Sequence, residues 1–138
     1  MAGYGGKNWF FDRAEILGRM EKAAVRSMSK FGAFVRTRAR SSIRRRKKVS
    51  EPGQPPSAHA GQIKLIYFAY DPGSRSVVVG PVEFKRGEAP PLLEFGGERE
   101  KRLQSGAVKV QHYRPRPFMG PALEAEAPKF ADQFKGSL

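Results

Sequence analysis

The sequence predicts an α+β fold: a long N-terminal amphipathic helix packed on a small antiparallel sheet built around a β-hairpin, with a C-terminal helix closing the chain. Three observations predict it. Apolar residues recur every three or four positions from Leu17 to Ile43, two β-branched and aromatic runs flank a Pro-Gly turn, and a helical pattern returns after Pro117. At 138 residues, with 39% apolar side chains, the chain is expected to fold as one domain with a buried core.

The first helix is expected over 12–47, after a flexible segment at 1–11. Asp12-Arg-Ala-Glu15 has the spacing of a capping box. Leu17, Met20, Ala24, Met28, Phe31, Val35, Ala39 and Ile43 fall on one side of such a helix; Arg19, Lys22, Arg26, Lys30, Arg36, Arg40, Arg44 and Lys47 fall on the other. Gly18 and Gly32 weaken it by about 1 kcal/mol each without ending it. The turns from Arg44 to Lys48 have no apolar face and are expected to project from the body. Residues 50–62, with Pro52, Pro55 and Pro56, read as an irregular exposed loop.

The sheet region is placed at 63–113. Ile63–Tyr70 and Arg75–Val82 form the hairpin, with Asp71-Pro-Gly-Ser74 as its turn and Gly73 supplying any positive φ. The first strand is apolar on both sides, so both sides need cover. The long helix covers one; the other meets the C-terminal segment or a neighbouring subunit, and Ile66, Phe68 and Tyr70 are assigned to a subunit interface with Leu92 and Phe95. Residues 83–106 read as a loop holding a short helical turn at Leu92–Phe95, stopped by Gly96-Gly97 and followed by a mobile polar stretch. Ala107–Tyr113 is a third strand, ended by Pro115 and Pro117. The last helix spans 117–135, with Pro121 in its first turn and Pro128 kinking or splitting it.

Charge is the strongest functional signal. Lys and Arg number 26 against 13 Asp and Glu, a net of +13. Residues 1–50 hold +11 of that excess, and eight of the thirteen residues from Arg36 to Lys48 are cationic. Arg36, Arg38, Arg40, Arg44, Arg45, Arg46, Lys47 and Lys48 are therefore the candidates for contact with DNA or with an acidic protein partner. No aromatic residue interleaves with this block, and no helix-turn-helix or zinc-finger pattern is present, so sequence-specific readout is not expected.

Other chemistries find little footing. The chain has no cysteine, which excludes a disulfide scaffold, an iron–sulfur cluster and a thiolate zinc site. His59 and His112, the two histidines, lack metal-ligand spacing. The glycine-rich pieces lack a P-loop lysine, and Glu98 and Glu100 lie among Arg99, Lys101 and Arg102 as a solvated charged surface. No catalytic residue, cofactor or metal is expected. No apolar run approaches the roughly 18–20 residues of a membrane helix, and the N-terminus carries no signal-peptide core, so an intracellular or cell-assembled product is expected.

Three further segments carry a family likeness: Pro52-Gly-Gln-Pro-Pro-Ser-Ala-His-Ala-Gly-Gln-Ile-Lys64, Leu92-Leu-Glu-Phe-Gly-Gly97, and Arg116-Pro-Phe-Met-Gly-Pro-Ala-Leu-Glu124. In this order, behind a long basic-ended helix and around a hairpin with Val79-Gly-Pro-Val82, the chain resembles the tailed-phage head–tail joining proteins, neck and tail-completion components that include relatives of the lambda minor tail protein Z. The likeness spans about 12 to 130. Ala60 and Gly97 stand where the family usually has Thr, and Leu65-Ile66 replace a usually polar stretch. The resemblance implies a non-enzymatic virion protein at the head–tail junction, assembled in the host cytoplasm. It further implies a homo-oligomeric ring of six or twelve subunits whose neighbours are portal or head-completion proteins and tail proteins. The alternative is a free, sequence-independent nucleic-acid-binding protein using the basic helix.

Overall fold

The computed structural model describes residues 12–58, 61–83 and 89–137. The expectations for 1–11 and for His59 lie outside the described residues. Helix α1 spans Arg13–Ser42, about 45 Å at 1.5 Å per residue. Asp12 caps it, its carboxylate accepting the Glu15 N–H at 3.0 Å. The return bond of a capping box is replaced by an ion pair between Glu15 and Arg19. Residues 12–22 are exposed throughout, so Leu17 and Met20 lie outside the core. The packed face is a narrower row than the sequence predicts: Ala23, Ser27, Phe31, Val35 and Ala39, four residues apart, with Gly32 beside them.

The helix stops five residues earlier than its predicted end at 47, and the basic turns do not project as a helix. The Ser41 hydroxyl donates to the Arg38 carbonyl at 3.0 Å and the Ser42 hydroxyl to the Ala39 carbonyl at 2.7 Å, drawing on acceptors that continued helix would use. Ile43 then turns into extended backbone and is fully buried. The Pro-rich segment, expected to be an exposed loop, is exposed at 51–54 and partly buried beyond. Pro56 and Ala58 are buried, the Ala58 N–H donates to the Arg44 carbonyl at 3.1 Å, and the Ser57 hydroxyl donates to the Lys48 carbonyl at 3.1 Å.

A 3-10 turn at Gly61–Lys64 buries Ile63, so the first strand starts later than its expected position at Ile63. Strand β1 (Ile66–Asp71) pairs antiparallel with β2 (Ser76–Pro81), matching Phe68 with Val79 and Tyr70 with Val77. The turn is built on Asp71, which accepts from the Gly73 N–H at 2.9 Å and the Ser74 hydroxyl at 2.5 Å. The positive φ falls on Arg75, at 51°, rather than on Gly73.

Helix α2 (Ala89–Phe95) begins with two prolines in its first turn and ends at Gly96. Gly96 has φ +72°, and a Cβ there would stand 2.8 Å from the Tyr113 carbonyl oxygen and 2.9 Å from Pro115 Cδ, so the crossing needs glycine. Next comes β3 (Gly97–Arg102), a strand where the sequence reading had a mobile loop. It pairs antiparallel with β4 (Val108–Tyr113), the predicted third strand. The sheet is therefore two separate two-stranded sheets, and β4 does not extend the first hairpin. Every residue of β3 is exposed, and so is every residue of β4 except Tyr113.

Helix α3 (Met119–Glu126) closes the fold with Pro121 in its first turn; from Ala127 it gives way to 3-10 turns at Ala127–Lys129 and Ala131–Phe134, Pro128 splitting the predicted 117–135 helix. The core gathers Phe31, Val35, Ala39 and Ile43 with Ala58, Ile63, Ile66, Phe118 and Ala122. Phe130 packs edge-on against Phe31 and against Phe134, with centroid separations of 4.9 and 5.3 Å. No helix among the described residues is long and apolar enough to cross a membrane.

Candidate functional site

The eight predicted cations divide into two groups. Three make side-chain contacts that tie the fold together. Arg36 Nε donates to the Ile66 carbonyl at 2.6 Å, and its guanidinium lies 6.0 Å from the Tyr67 ring centroid, so it rivets α1 to β1. Arg38 pairs with Glu126, whose side chain is only 8% exposed and also lies 3.5 Å from Lys129 Nζ. The Arg38 hydrogen bond holds the Glu126 carboxyl below its ordinary value, against the opposing effect of burial. Arg46 donates to the Gln54 side chain at 3.3 Å.

The other five, Arg40, Arg44, Arg45, Lys47 and Lys48, are exposed and meet no carboxylate among the described residues. Their backbone is held by the Arg44 and Lys48 carbonyls accepting from the 57–58 segment. The result is a pinned cationic ledge rather than a fraying helix end. Such a ledge attracts phosphates or carboxylates without base readout.

The predicted interface residues require a correction. Ile66 is fully buried, and Phe68 and Tyr70 share its side of β1, the side turned to α1. Gly32 decides this: a Cβ at that position would lie 2.6 Å from Val77 Cγ2 and 3.2 Å from Phe68 Cδ2. The helix backbone thus presses against the hairpin where it has no side chain. The uncovered side is the other one, with Tyr67 57% and Val78 62% exposed and Leu65 open just before the strand. Of the other two residues assigned to that interface, Phe95 is 81% exposed and Leu92 is half-buried.

A junction that sequence reasoning did not single out lies between the motifs. The Glu94 carboxylate accepts three backbone N–H groups at the start of α3: Phe118 at 2.8 Å and Met119 at 3.0 Å through Oε2, and Gly120 at 2.7 Å through Oε1. These are donors that a helix N-terminus leaves without intrahelical partners. Arg116 beside it donates through Nε to the Ser50 carbonyl at 2.9 Å, and its N–H donates to the Leu93 carbonyl at 2.6 Å. The Gly53 N–H donates to the Pro115 carbonyl at 2.9 Å. The signal available in the sequence was a lone acid within the otherwise apolar Ala89–Phe95.

His112 Nδ1 lies 2.9 Å from Glu98 Oε1 across the β3–β4 ribbon, both side chains exposed. No cluster of three or more potential metal ligands occurs among the described residues. No protein-family model, curated protein or solved structure matches this chain.

Proposed function

We propose that the chain is a structural component of a tailed-phage neck or tail-completion ring, joining the DNA-filled head to the tail as one of six or twelve identical subunits. One observation carries this reading. The outer side of β1–β2 and the ribbon β3–β4 leave Leu65, Tyr67, Val78, Val108 and Val110 open, and Phe95 at the end of α2 is open beside them in sequence. A two-stranded ribbon without a covered face is marginal alone, and neighbouring subunits supply the missing cover. The meeting of the three family-like segments at Glu94, Arg116 and the Pro-rich loop supports the same reading, since it gives each motif a structural task. The reading assigns no catalytic residue and no cofactor. In it, the cationic ledge faces packaged DNA or an acidic partner surface.

Purification of virions tests it: the chain is expected in intact particles at a fixed multiple per particle, alongside portal and tail proteins. Absence from particles, together with a monomer or dimer that binds DNA with a steep salt dependence, would instead support a free nucleic-acid-binding protein.

A further inference from the structure

The β3–β4 ribbon sorts its charges by face. Partners directly opposite in an antiparallel pair point to the same side. One side therefore carries Glu98, Glu100 and Arg102 opposite His112, Val110 and Val108; the other carries Arg99 and Lys101 opposite Gln111 and Lys109, and Tyr113 opposite Gly97. Both acids of the ribbon lie on the first side, and one of them is engaged by His112. The second side holds three cations and no acid. None of the three pairs with a carboxylate among the described residues.

Lys101 stands directly opposite Lys109. Like charges in that position weaken a strand pair, and this ribbon has no core of its own to offset the repulsion. An anion lying along this side offsets that repulsion. An open concavity of about 350 Å³ at the ribbon is lined by Arg99, Lys101, Gln111 and Tyr113 of this side and by Glu100 and Arg102 of the other.

We propose that this side of the ribbon binds the phosphate backbone of double-stranded DNA. A two-stranded antiparallel ribbon is an element that a major groove about 12 Å wide admits. Alternate residues such as Arg99 and Lys101 lie about 6.8 Å apart along the strand, and each DNA strand presents one phosphate charge for about every 3.4 Å of helix axis, so one duplex can meet both cations. Gln111 and Tyr113 add neutral donors for phosphate oxygens. An acidic protein surface is the competing occupant; the regular cation spacing and the ribbon shape favour the duplex. The proposal uses a surface separate from the ledge at 40–48 and stands for a ring subunit and a free chain alike.

The experiment is fluorescence anisotropy on a 20-base-pair duplex at several salt concentrations, with the full chain. The triple variant R99Q/K101Q/K109Q is expected to lower the salt slope by about 2.7, at about 0.9 per lost phosphate contact. Because it removes the Lys101–Lys109 repulsion, it is expected to keep its fold, checked by circular dichroism. The decisive comparison is K101Q against K22Q, the same charge change at an exposed residue of α1 away from the ribbon and from the 40–48 ledge. K101Q is expected to weaken binding several-fold and K22Q to leave it near wild type. Equal losses from the two would reduce the effect to net charge and overturn the proposal. An unchanged slope in the triple variant, or a triple variant that loses self-association while keeping DNA affinity, would overturn it too. None of these outcomes bears on presence in virions, so the neck reading fails or survives separately.

Discussion

Replacing Glu94 with alanine gives the sharpest test of how this fold is held together. The carboxylate accepts from Phe118, Met119 and Gly120 at 2.7–3.0 Å, and Phe118 is among the most buried residues in the chain. Removal of the acceptor leaves donors at the start of α3 without partners in a region that water reaches poorly. A hydrogen bond to a charged group contributes about 1.5–3 kcal/mol, and loss of a helix cap costs about 0.5–2 kcal/mol; these terms overlap, so a total of about 2–4 kcal/mol is expected. At about 2.1 cal/mol/K per residue, the unfolding entropy of this chain is about 0.29 kcal/mol/K, so that loss lowers Tm by about 7–14 °C. Urea unfolding with an unchanged m-value measures it.

Glu94→Gln isolates the chemistry from the packing. The amide keeps one acceptor and turns an NH2 group toward a backbone donor, so about half or more of the alanine loss should persist. Hydrogen exchange at Phe118, Met119 and Gly120 should accelerate more than at Val35 and Ala39 in α1, which share only the global change. A glutamine variant within about 0.5 kcal/mol of wild type, with those three amides still protected, would refute the assignment of Glu94 as the anchor of α3.

Three other outcomes are expected. Gly32→Ala should destabilise by about 1–2 kcal/mol because its methyl meets Val77 Cγ2 at 2.6 Å, whereas Gly18→Ala, with nothing within 4 Å, should stabilise by about 0.5–1 kcal/mol; chemical denaturation of both distinguishes packing from helix propensity. Glu126 has a lowered folded pKa, so the stability it provides is present above its unfolded value near 4.3 and disappears as pH falls through the folded value. Glu126→Gln should therefore cost about 1 kcal/mol at pH 7, discounted because Arg38 is 45% exposed, and the gap from wild type should close in acid melts. The triple change R44A/R45A/R46A should leave the melting curve nearly unchanged, since Arg44 and Arg45 are exposed and Arg46 makes one contact at 3.3 Å, yet impair joining of filled heads to tails in a complementation assay.

Local periodicity made most of the elements legible. The cap at Asp12, the first hairpin, the short helix before Gly96, strand β4 and the break at Pro128 all rest on signals within a few residues of one another. Errors arose where a distant partner decides. Ile43 continues the helical row in sequence, but the core draws it out of α1. The first strand is apolar on both sides, so alternation could not say which side α1 would take; Gly32, thirty-six residues before Phe68, makes the choice. Strand β3 alternates charge sign rather than hydropathy, which leaves no apolar period to read. Glu94 works across an interval of 24–26 residues, which no local pattern encodes.

Strand β3 bears most on function. The core is concentrated where the C-terminal half of α1 meets Ile66, Phe118 and Ala122, and β3, whose sequence signal was the weakest, lies outside it. A strand stabilised by its own domain records that domain in an apolar period. The β3 pattern Glu98-Arg-Glu-Lys-Arg102 records no such partner; its alternation instead gathers the acids on one side and Arg99 and Lys101 on the other, joined there by Lys109. Segregation of this kind contributes nothing to a ribbon in isolation and opposes its pairing at Lys101–Lys109. The proposed contact with DNA offsets that opposition, and it assigns the arrangement of charge in this segment to what the ribbon touches rather than to how it folds.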